Sequence, residues 1–490
     1  MVFSTIIFLC AFLPITIIGY YLLPGRIKNI WLLLCSLFFY AWGEPKFVWI
    51  MLLSILCNYG FGMGIAALRA EGDRKGRKCL LILSVVLNLG LLFVFKYFTF
   101  AAETIKSLVG GQFDVVEIAL PIGISFYTFQ GLSYVIDVYR QEGRLDEAGN
   151  RISVVQRNPL NLALYIAMFP QLIAGPIVRY DDIRQSLEKR EHTLAKFASG
   201  VERFIIGLGK KAILANTVGS LADAIMKSDV SSLGIGTAWV GAIAYTLQIY
   251  FDFSGYSDMA IGLGRIFGFE FMENFNYPYI SRSIREFWHR WHISLSSWFR
   301  DYLYIPLGGN RRGNVYLHLA IVFLATGIWH GAAWGFLAWG IYHGFFILVE
   351  RFLQGIDVKK KPAKSNLIRS IIKAVISWLY ATIVVIVGWV IFAKVDLMEA
   401  LQYIAVMFGI RQNQFVAYEP GYYLNHQMLF YTGIAVLACI PWKQMVSKWM
   451  GEKDSVIILT GKRILLLALL ALSFVFIINS SYNPFIYFRF

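Results

Sequence analysis

Long apolar runs recur along the whole chain, and they constrain its fold more than any other feature. Of the 490 residues, 58% are hydrophobic and only 15% are charged, whereas soluble domains contain about 25% charged residues. Lipid offers no hydrogen-bond partner to the backbone, so unbroken apolar runs of this kind predict membrane helices. A membrane β-barrel would need short segments of alternating hydrophobicity instead. The sequence therefore predicts an all-α polytopic membrane protein, and it excludes a soluble enzyme and a disordered chain.

The runs predict about 11 to 13 membrane elements, several of them shorter than the ~20 residues of a full crossing. They cover residues 2–23, 31–42, 47–68, 80–100, 118–138, 159–178, 212–225, 236–253, 315–334, 335–349, 374–392, 428–442 and 464–478. Pro170 and the Gly175-Pro176 pair interrupt the run 159–178, which favours a bent or re-entrant element there. The segment 179–211 is predicted as a charged cytoplasmic stretch. Because no repeat or linker divides the chain, we expect a single membrane domain over 1–490.

The net charge of +15 fits the lysine and arginine bias of cytoplasmic loops, and it does not indicate a nucleic-acid partner. Basic loops at 69–78, 140–157, 351–373 and 443–463 fall on one side of the membrane, with the N-terminus outside. Membrane lipids are the expected surroundings. The five cysteines are scattered without a CxxC pair, which favours buried small side chains over disulfides or zinc ligands.

The segment 274–314 is too charged to cross lipid, where each exposed arginine costs at least ~2.5 kcal/mol. Six arginines stand among aromatic residues, against only Glu286 and Asp301. The segment is therefore a candidate functional region. The alternative is a purely structural role, as an amphipathic helix that lies in the membrane interface.

Asp252 and Asp258 are predicted to lie at the end of a span, where capping and loop hydrogen bonds would explain them.

His330 is an ionisable residue inside an apolar run, and such residues are candidates for function. Gly327 and Gly331 remove side-chain bulk beside it, as a substrate tunnel would require. A histidine hydrogen-bonded between helices is the alternative. Five of the seven histidines lie between 289 and 343, but HExxH and a second ExxH are absent, so we expect a general base and no metal.

These residues resemble the membrane-bound O-acyltransferase (MBOAT) family, and in particular its bacterial alginate O-acetyltransferase (AlgI-like) branch. The stretches that carry the resemblance lie at 120–140, 169–183, 250–271, 276–311 and 327–344. They include WHIS at 291–294 and GIWHG at 327–331. The resemblance implies a core over about 40–350, followed by C-terminal spans within 370–480. It also implies a ring of tilted, short and re-entrant helices around a thinned centre, with one cytoplasmic and one extracellular funnel.

By residue match, the resemblance implies that His330 and His292 are the catalytic pair. His289 departs from many relatives, which carry arginine there, and it receives no role. The mechanism implied is acyl transfer without a metal or a permanently bound cofactor, with acetyl-CoA as the donor. Lys210 and Lys211 are further candidates for binding its phosphates, with positive-inside anchoring as the alternative. The candidate donor-binding residues are Trp329, Trp334, Arg282, Arg285, Trp288, Trp291, Arg300, Asp301, Tyr304 and Asn310.

The resemblance also implies the partners. An acyl-CoA or an acyl carrier protein would bind on the cytoplasmic side. An extracytoplasmic SGNH-type acetyltransferase or a polysaccharide such as alginate, cellulose or peptidoglycan would accept the acetyl group. The location implied is the bacterial inner membrane. Two alternatives stay open: D-alanyl transfer from a carrier protein to teichoic acid, and a transporter that uses a midplane histidine as a proton relay.

Overall fold

The computed structural model describes residues 1–110, 114–144, 152–173, 175–357, 367–442, 444–445, 456–480, 482–484 and 486. Within these ranges all regular secondary structure is helical, with turns and loops between the helices and no strand, so the all-α prediction is confirmed. Parts of the predicted basic loops 140–157, 351–373 and 443–463 lie outside the described residues.

Among the described residues, twelve α-helices precede the charged segment 274–314. They are α1 Leu13–Leu22, α2 Gly25–Gly43, α3 Val48–Ala70, α4 Arg74–Leu92, α5 Phe98–Val109, α6 Ile124–Gln141, α7 Pro159–Ala167, α8 Phe169–Leu172, α9 Tyr180–Glu188, α10 Leu194–Gly209, α11 Asn216–Met226 and α12 Ile235–Ile266.

The remaining described helices begin inside the charged segment. They are α13 Ile284–Arg290, α14 Ile293–Phe299, α15 Val315–His330, α16 Trp334–Asp357, α17 Leu367–Ala393, α18 Leu397–Met407, α19 Pro420–Tyr423, α20 His426–Ala438 and α21 Val456–Asn479. Short π-helical turns occupy Phe8–Phe12, Phe93–Tyr97, Lys210–Ala215 and Arg300–Tyr304.

The described chain divides into two compact units, residues 1–204 with 256–272 and residues 205–255 with 273–490. In the first unit, α3 packs against α4 and α6, and Phe3, Phe8, Phe39 and Phe169 form a buried aromatic cluster. In the second unit, α15 and α16 form an antiparallel hairpin, and α16 packs against α17. The predicted catalytic residues belong to this second unit.

Five helices in the described part of the chain are long and apolar enough to cross a membrane: Val48–Ala70, Arg74–Val109, Trp334–Leu353, Leu367–Ala393 and Ile458–Asn479. Three shorter apolar helices, Phe8–Leu22, Val315–His330 and Leu397–Met407, add to them. The predicted break between the second and third runs is confirmed, since α2 ends at Gly43 and α3 begins at Val48. The predicted interruption of 159–178 is confirmed too, because α7 ends at Ala167.

Within the predicted charged segment 179–211, α9 covers Tyr180–Glu188 and α10 begins at Leu194, then continues through the π-helical turn Lys210–Ala215 into α11. The prediction that Asp252 and Asp258 lie at the end of a span is wrong. The helix α12 runs on to Ile266, so Asp252 and Asp258 lie inside a helix instead of at its end. Each carboxylate pairs with a cation from a neighbouring helix: Asp252 with Lys211, and Asp258 with Arg203. Ion pairing lets the helix carry these charges without interruption.

Candidate active site

The hairpin of α15 and α16 places His330 at the C-terminal end of α15. The two backbones approach closely, because a Cβ on Gly327 would lie 2.6 Å from the carbonyl oxygen of Phe336. A Cβ on Gly331 would collide with the Phe336 ring. The prediction that these glycines open a tunnel is therefore wrong. They allow α15 and α16 to touch, and helix backbones approach this closely only where small residues meet.

Aromatic side chains surround His330, whose exposed fraction is only 6%. Its ring centroid lies 4.9 Å from that of Trp339 and 5.3 Å from that of Phe392, both in edge-on geometry. Trp329 packs beside it at 5.1 Å. This packing fixes the orientation of the imidazole within the membrane domain.

His292 occupies the junction between α13 and α14 and is fully buried. Its φ is +44°, in the left-handed region that residues other than glycine rarely adopt. Its Nδ1 lies 3.1 Å from Asn274 Oδ1. Trp329 stands next to both histidines, with its ring centroid 6.2 Å from that of His292. The structure thus gathers the two predicted catalytic histidines around one tryptophan.

The buried carboxylate of Glu350 on α16 holds the first turn of α13. Its Oε1 accepts a hydrogen bond from the backbone N–H of Ile284 at 2.6 Å, and its Oε2 accepts one from Arg285 at 3.0 Å. Ser283 caps the same helix through the backbone N–H of Glu286. A negative charge at a helix N-terminus is stabilising because the first N–H groups lack helical partners. The residues carried by α13 are therefore fixed relative to α16.

A cavity of about 300 Å³ opens beside α13 and α14, and we call it the basic cavity. Four basic side chains line it: Arg285, His289, Arg300 and Arg351. Five predicted donor-binding residues belong to its wall: Arg285, Trp288, Arg300, Tyr304 and Asn310.

Thr326 also lines the basic cavity, and it lies one helical turn before His330 on the same face of α15. In the same wall, Asn310 Oδ1 accepts hydrogen bonds from the Tyr304 hydroxyl at 2.8 Å and from Arg351 at 3.3 Å. The wall of the cavity thus combines arginines with a residue one helical turn from His330.

The other predicted donor-binding residues lie outside the wall of the basic cavity. Trp329 packs on both histidines, and Trp291 packs on Trp389 at 4.7 Å. Asp301 pairs with Arg300 at 2.7 Å. Trp334, at the start of α16, is 53% exposed. Arg282 lines a separate apolar cavity of about 730 Å³ between α12, α17 and α20.

Lys211 is not available to bind a phosphate. Its side chain is buried, and Nζ lies 2.6 Å from Asp252 Oδ1. That interpretation of Lys211 is therefore wrong. Sequence reasoning also missed Arg351 and Asn274. Arg351 was assigned to a basic loop but lies on α16, and Asn274 marks the start of the charged segment without any motif of its own.

The charges around the basic cavity act on His289. Burial lowers the pKa of this imidazole below its ordinary value, and the nearby guanidinium groups of Arg285 and Arg300 lower it further. Glu286 acts in the opposite direction. The lowered pKa favours the neutral form of His289, so the positive charge in the wall of the basic cavity comes mainly from arginines.

Among the described residues, histidine, cysteine, aspartate and glutamate side chains do not gather in groups of three or more that would hold a metal ion. The arrangement instead combines two buried histidines with a cavity lined by arginines.

Comparison with known proteins identifies the family. A sequence model of the membrane-bound O-acyltransferase family, MBOAT, matches residues 34–393. The chain is 44% identical over 417 residues to the probable alginate O-acetylase AlgI of Azotobacter vinelandii, which covers 84% of this chain and 78% of that protein. The chain belongs to the membrane-bound O-acyltransferase family and is an O-acyltransferase.

Two further relatives differ in activity. The peptidoglycan O-acetyltransferase of Helicobacter pylori is 35% identical over 434 residues, which cover 84% of this chain and 80% of that protein. The teichoic acid D-alanyltransferase of Bacillus subtilis is 30% identical over 271 residues, which cover 52% of this chain and 65% of that protein. Similarity thus extends further along the chain for the O-acetylating relatives.

Proposed function

We propose that this protein transfers an acetyl group from cytoplasmic acetyl-CoA toward O-acetylation of a secreted or cell-surface polysaccharide, in the inner membrane of a bacterium. The observation that carries the proposal is the basic cavity, whose wall contains three arginines together with Thr326, one helical turn from His330.

The wall of the basic cavity suits coenzyme A. Arginines bind phosphate oxygens through charge-assisted, often bidentate hydrogen bonds, so Arg285, Arg300 and Arg351 would hold the phosphates. Leu319, Val322 and Phe323 line the same cavity and would offer apolar contacts to the pantetheine arm. The acetyl thioester would then approach His330.

His330 would act as the general base. Its imidazole takes the proton of an acceptor hydroxyl, the hydroxyl oxygen bonds to the thioester carbonyl carbon, and the C–S bond breaks. The proton then passes to the departing thiolate, so coenzyme A leaves as a thiol. Indole N–H of Trp329 and backbone N–H groups are candidates for stabilising the oxyanion.

Similarity to O-acetylating relatives over 84% of the chain, against 52% for the D-alanyltransferase, supports acetyl as the group transferred. The acceptor would be alginate, peptidoglycan or a comparable polysaccharide, reached directly or through an extracytoplasmic SGNH-type acetyltransferase. Transfer of D-alanine from a carrier protein is the second candidate.

The proposal is tested with the purified protein in lipid vesicles and radiolabelled acetyl-CoA. Replacing Arg300 or Arg351 by alanine removes charged hydrogen bonds worth about 1.5–3 kcal/mol each, so KM for acetyl-CoA should rise about 10- to 100-fold. Arg369→Ala is the matched control, because Arg369 is exposed on α17 and lies outside the wall of the basic cavity.

If wild-type protein releases no thiol from acetyl-CoA but accepts D-alanine from a carrier protein, the D-alanyl alternative replaces the proposal. If Arg300→Ala, Arg351→Ala and Arg369→Ala all leave KM unchanged, the basic cavity is not the donor site.

A further inference from the structure

Three donors converge on one oxygen atom beside His292. Asn274 Oδ1 lies 3.1 Å from His292 Nδ1, 3.2 Å from the backbone nitrogen of Ser294 and 2.8 Å from Ser294 Oγ. A backbone N–H can only donate, so the side-chain atom of Asn274 that faces it must be the oxygen and not the amide nitrogen. The orientation of the Asn274 amide is thereby fixed by its surroundings.

That oxygen determines where the proton on His292 resides. Asn274 Oδ1 has no hydrogen to give, so His292 Nδ1 is the donor in this contact. Ser294 Oγ also lies 3.4 Å from His292 Nδ1, but its single hydrogen is donated to Asn274 Oδ1 at the shorter distance of 2.8 Å. In a neutral imidazole only one ring nitrogen carries hydrogen, so Nε2 keeps its lone pair.

The backbone around the contact is held on both sides. The N–H of Ile293 donates to the Asn274 carbonyl at 3.0 Å, and the N–H of Asn276 donates to the Arg290 carbonyl at 2.9 Å. These bonds support the left-handed conformation of His292, which costs of order 1–3 kcal/mol and persists only where its surroundings enforce it. The conformation places the imidazole beside Trp329 instead of along a helix.

Aromatic rings complete the enclosure. Phe253 stands edge-on to the imidazole at 4.6 Å, and Phe275 lies at 6.5 Å. Both His292 and Asn274 are 0% exposed. The ring therefore has little freedom to turn over and exchange its two nitrogens.

We infer that Asn274 is a positioning residue that holds His292 in the Nδ1–H tautomer, so that His292 acts through Nε2 as a hydrogen-bond or proton acceptor. The catalytic consequence rests on the proposed acyl transfer, but the tautomer itself does not. His292 Nε2 would thus accept a hydrogen bond or a proton from the acceptor hydroxyl or the reacting group, and it would not donate a proton to it.

The tautomer can be observed directly by solid-state NMR on full-length protein in lipid bilayers with ¹⁵N-labelled histidine, since protonated and bare ring nitrogens resonate in separate ranges. His292→Gln identifies the signals by their disappearance. In wild type, the pair should show protonated Nδ1 and bare Nε2. Asn274→Ala should add a population with protonated Nε2. Asn274→Asp keeps the accepting oxygen and should retain the protonated Nδ1.

Bare Nδ1 on His292 in wild type would overturn the inference, as would an Asn274→Ala spectrum identical to wild type. If Asn274→Ala does not fold, the wild-type and Asn274→Asp spectra still decide it, because loss of the Nδ1–H signal in Asn274→Asp contradicts a role for the oxygen. In the activity assay, kcat should fall about 10- to 100-fold in Asn274→Ala and recover partly in Asn274→Asp. Because the spectra need no substrate, failure of acetyl transfer in wild type leaves this inference separately decided.

Discussion

Lys211 and Asp252 form an ion pair in the interior of the second unit. Nζ and Oδ1 are 2.6 Å apart, and the side chains are 2% and 4% exposed. The second carboxylate oxygen of Asp252 accepts the backbone N–H of Ile486 at 2.9 Å, and Lys211 donates to the carbonyl oxygen of Pro484. A pair buried between α12 and the π-helical turn thus also fixes residues close to the C-terminus.

Removing one member of this pair should destabilise the protein strongly. Asp252→Asn leaves the buried ammonium of Lys211 without its counter-charge, which costs about 3–5 kcal/mol. The double variant Lys211→Met/Asp252→Asn should lose less stability than the sum of the two single variants. Thermal unfolding in detergent measures all three.

The exposed pair of Lys227 and Asp223 is the matched control. Its atoms are 2.8 Å apart, but Lys227 is 61% exposed, so Asp223→Asn should cost no more than about 1 kcal/mol. Equal unfolding temperatures for Asp252→Asn and Asp223→Asn would contradict the expectation that breaking the buried pair costs more stability than breaking the exposed one.

The contact between α15 and α16 should not tolerate a methyl group. A Cβ on Gly340 would lie 2.6 Å from the Phe323 carbonyl oxygen and 3.0 Å from Gly327 Cα. Gly340→Ala should therefore cost about 1–3 kcal/mol by overpacking, and it should lower activity by displacing His330. Gly433→Ala is the control, since nothing lies within 4 Å of its Cβ position. If Gly340→Ala and Gly433→Ala both unfold at the wild-type temperature, the contact between α15 and α16 tolerates a methyl group.

Glu350→Ala should loosen the start of α13. The substitution leaves the N–H groups of Ile284 and Arg285 without their acceptor, and the buried N–H of Ile284 alone should cost about 1–3 kcal/mol. We expect a lower unfolding temperature together with weaker binding of acetyl-CoA, because Arg285 lines the basic cavity. Isothermal titration with acetyl-CoA measures the second effect, and unchanged affinity would separate α13 from donor binding.

His289 should titrate below the ordinary histidine pKa. Burial, Arg285 and Arg300 all disfavour its charged form in the folded protein. The folded state therefore binds fewer protons than the unfolded chain just below pH ~6.5, and the contribution of His289 to stability decreases as the pH falls through that value. NMR titration should place the midpoint below that of an unstructured peptide, and Arg285→Gln should raise it. A midpoint at or above the peptide value would contradict this.

The sequence was sufficient to predict the helical membrane class, because composition and apolar runs follow directly from the lipid environment. Five of the ten candidate donor-binding residues line the basic cavity, and all five lie within one continuous charged segment. Ion pairs and hydrogen bonds between residues far apart in the sequence were not predictable. Nothing local relates Lys211 to Asp252, or Glu350 to Ile284, 66 residues away.

The errors have related causes. Gly327 was assigned to a tunnel because the sequence shows only that this position of α15 has no side chain. In the structure, the backbone of α16 fills the space that a side chain would occupy. Asp252 was placed at the end of a span, whereas α12 runs on to Ile266 and the cation that pairs with Asp252 comes from another part of the chain.

His330 is the proposed general base of acyl transfer, and the most direct measurement of its role compares wild type with His330→Ala in vesicles supplied with radiolabelled acetyl-CoA. Release of thiol and transfer of label to polysaccharide or to the extracytoplasmic partner are followed together. His426→Ala serves as the control, because His426 is exposed at the start of α20. The unfolding temperature of each variant verifies its fold.

Loss of a general base typically costs about 10²- to 10⁴-fold in rate. We therefore expect His330→Ala to lose transfer by at least that factor at an unchanged unfolding temperature, while His426→Ala keeps the wild-type rate. Transfer by folded His330→Ala at the wild-type rate would contradict the account.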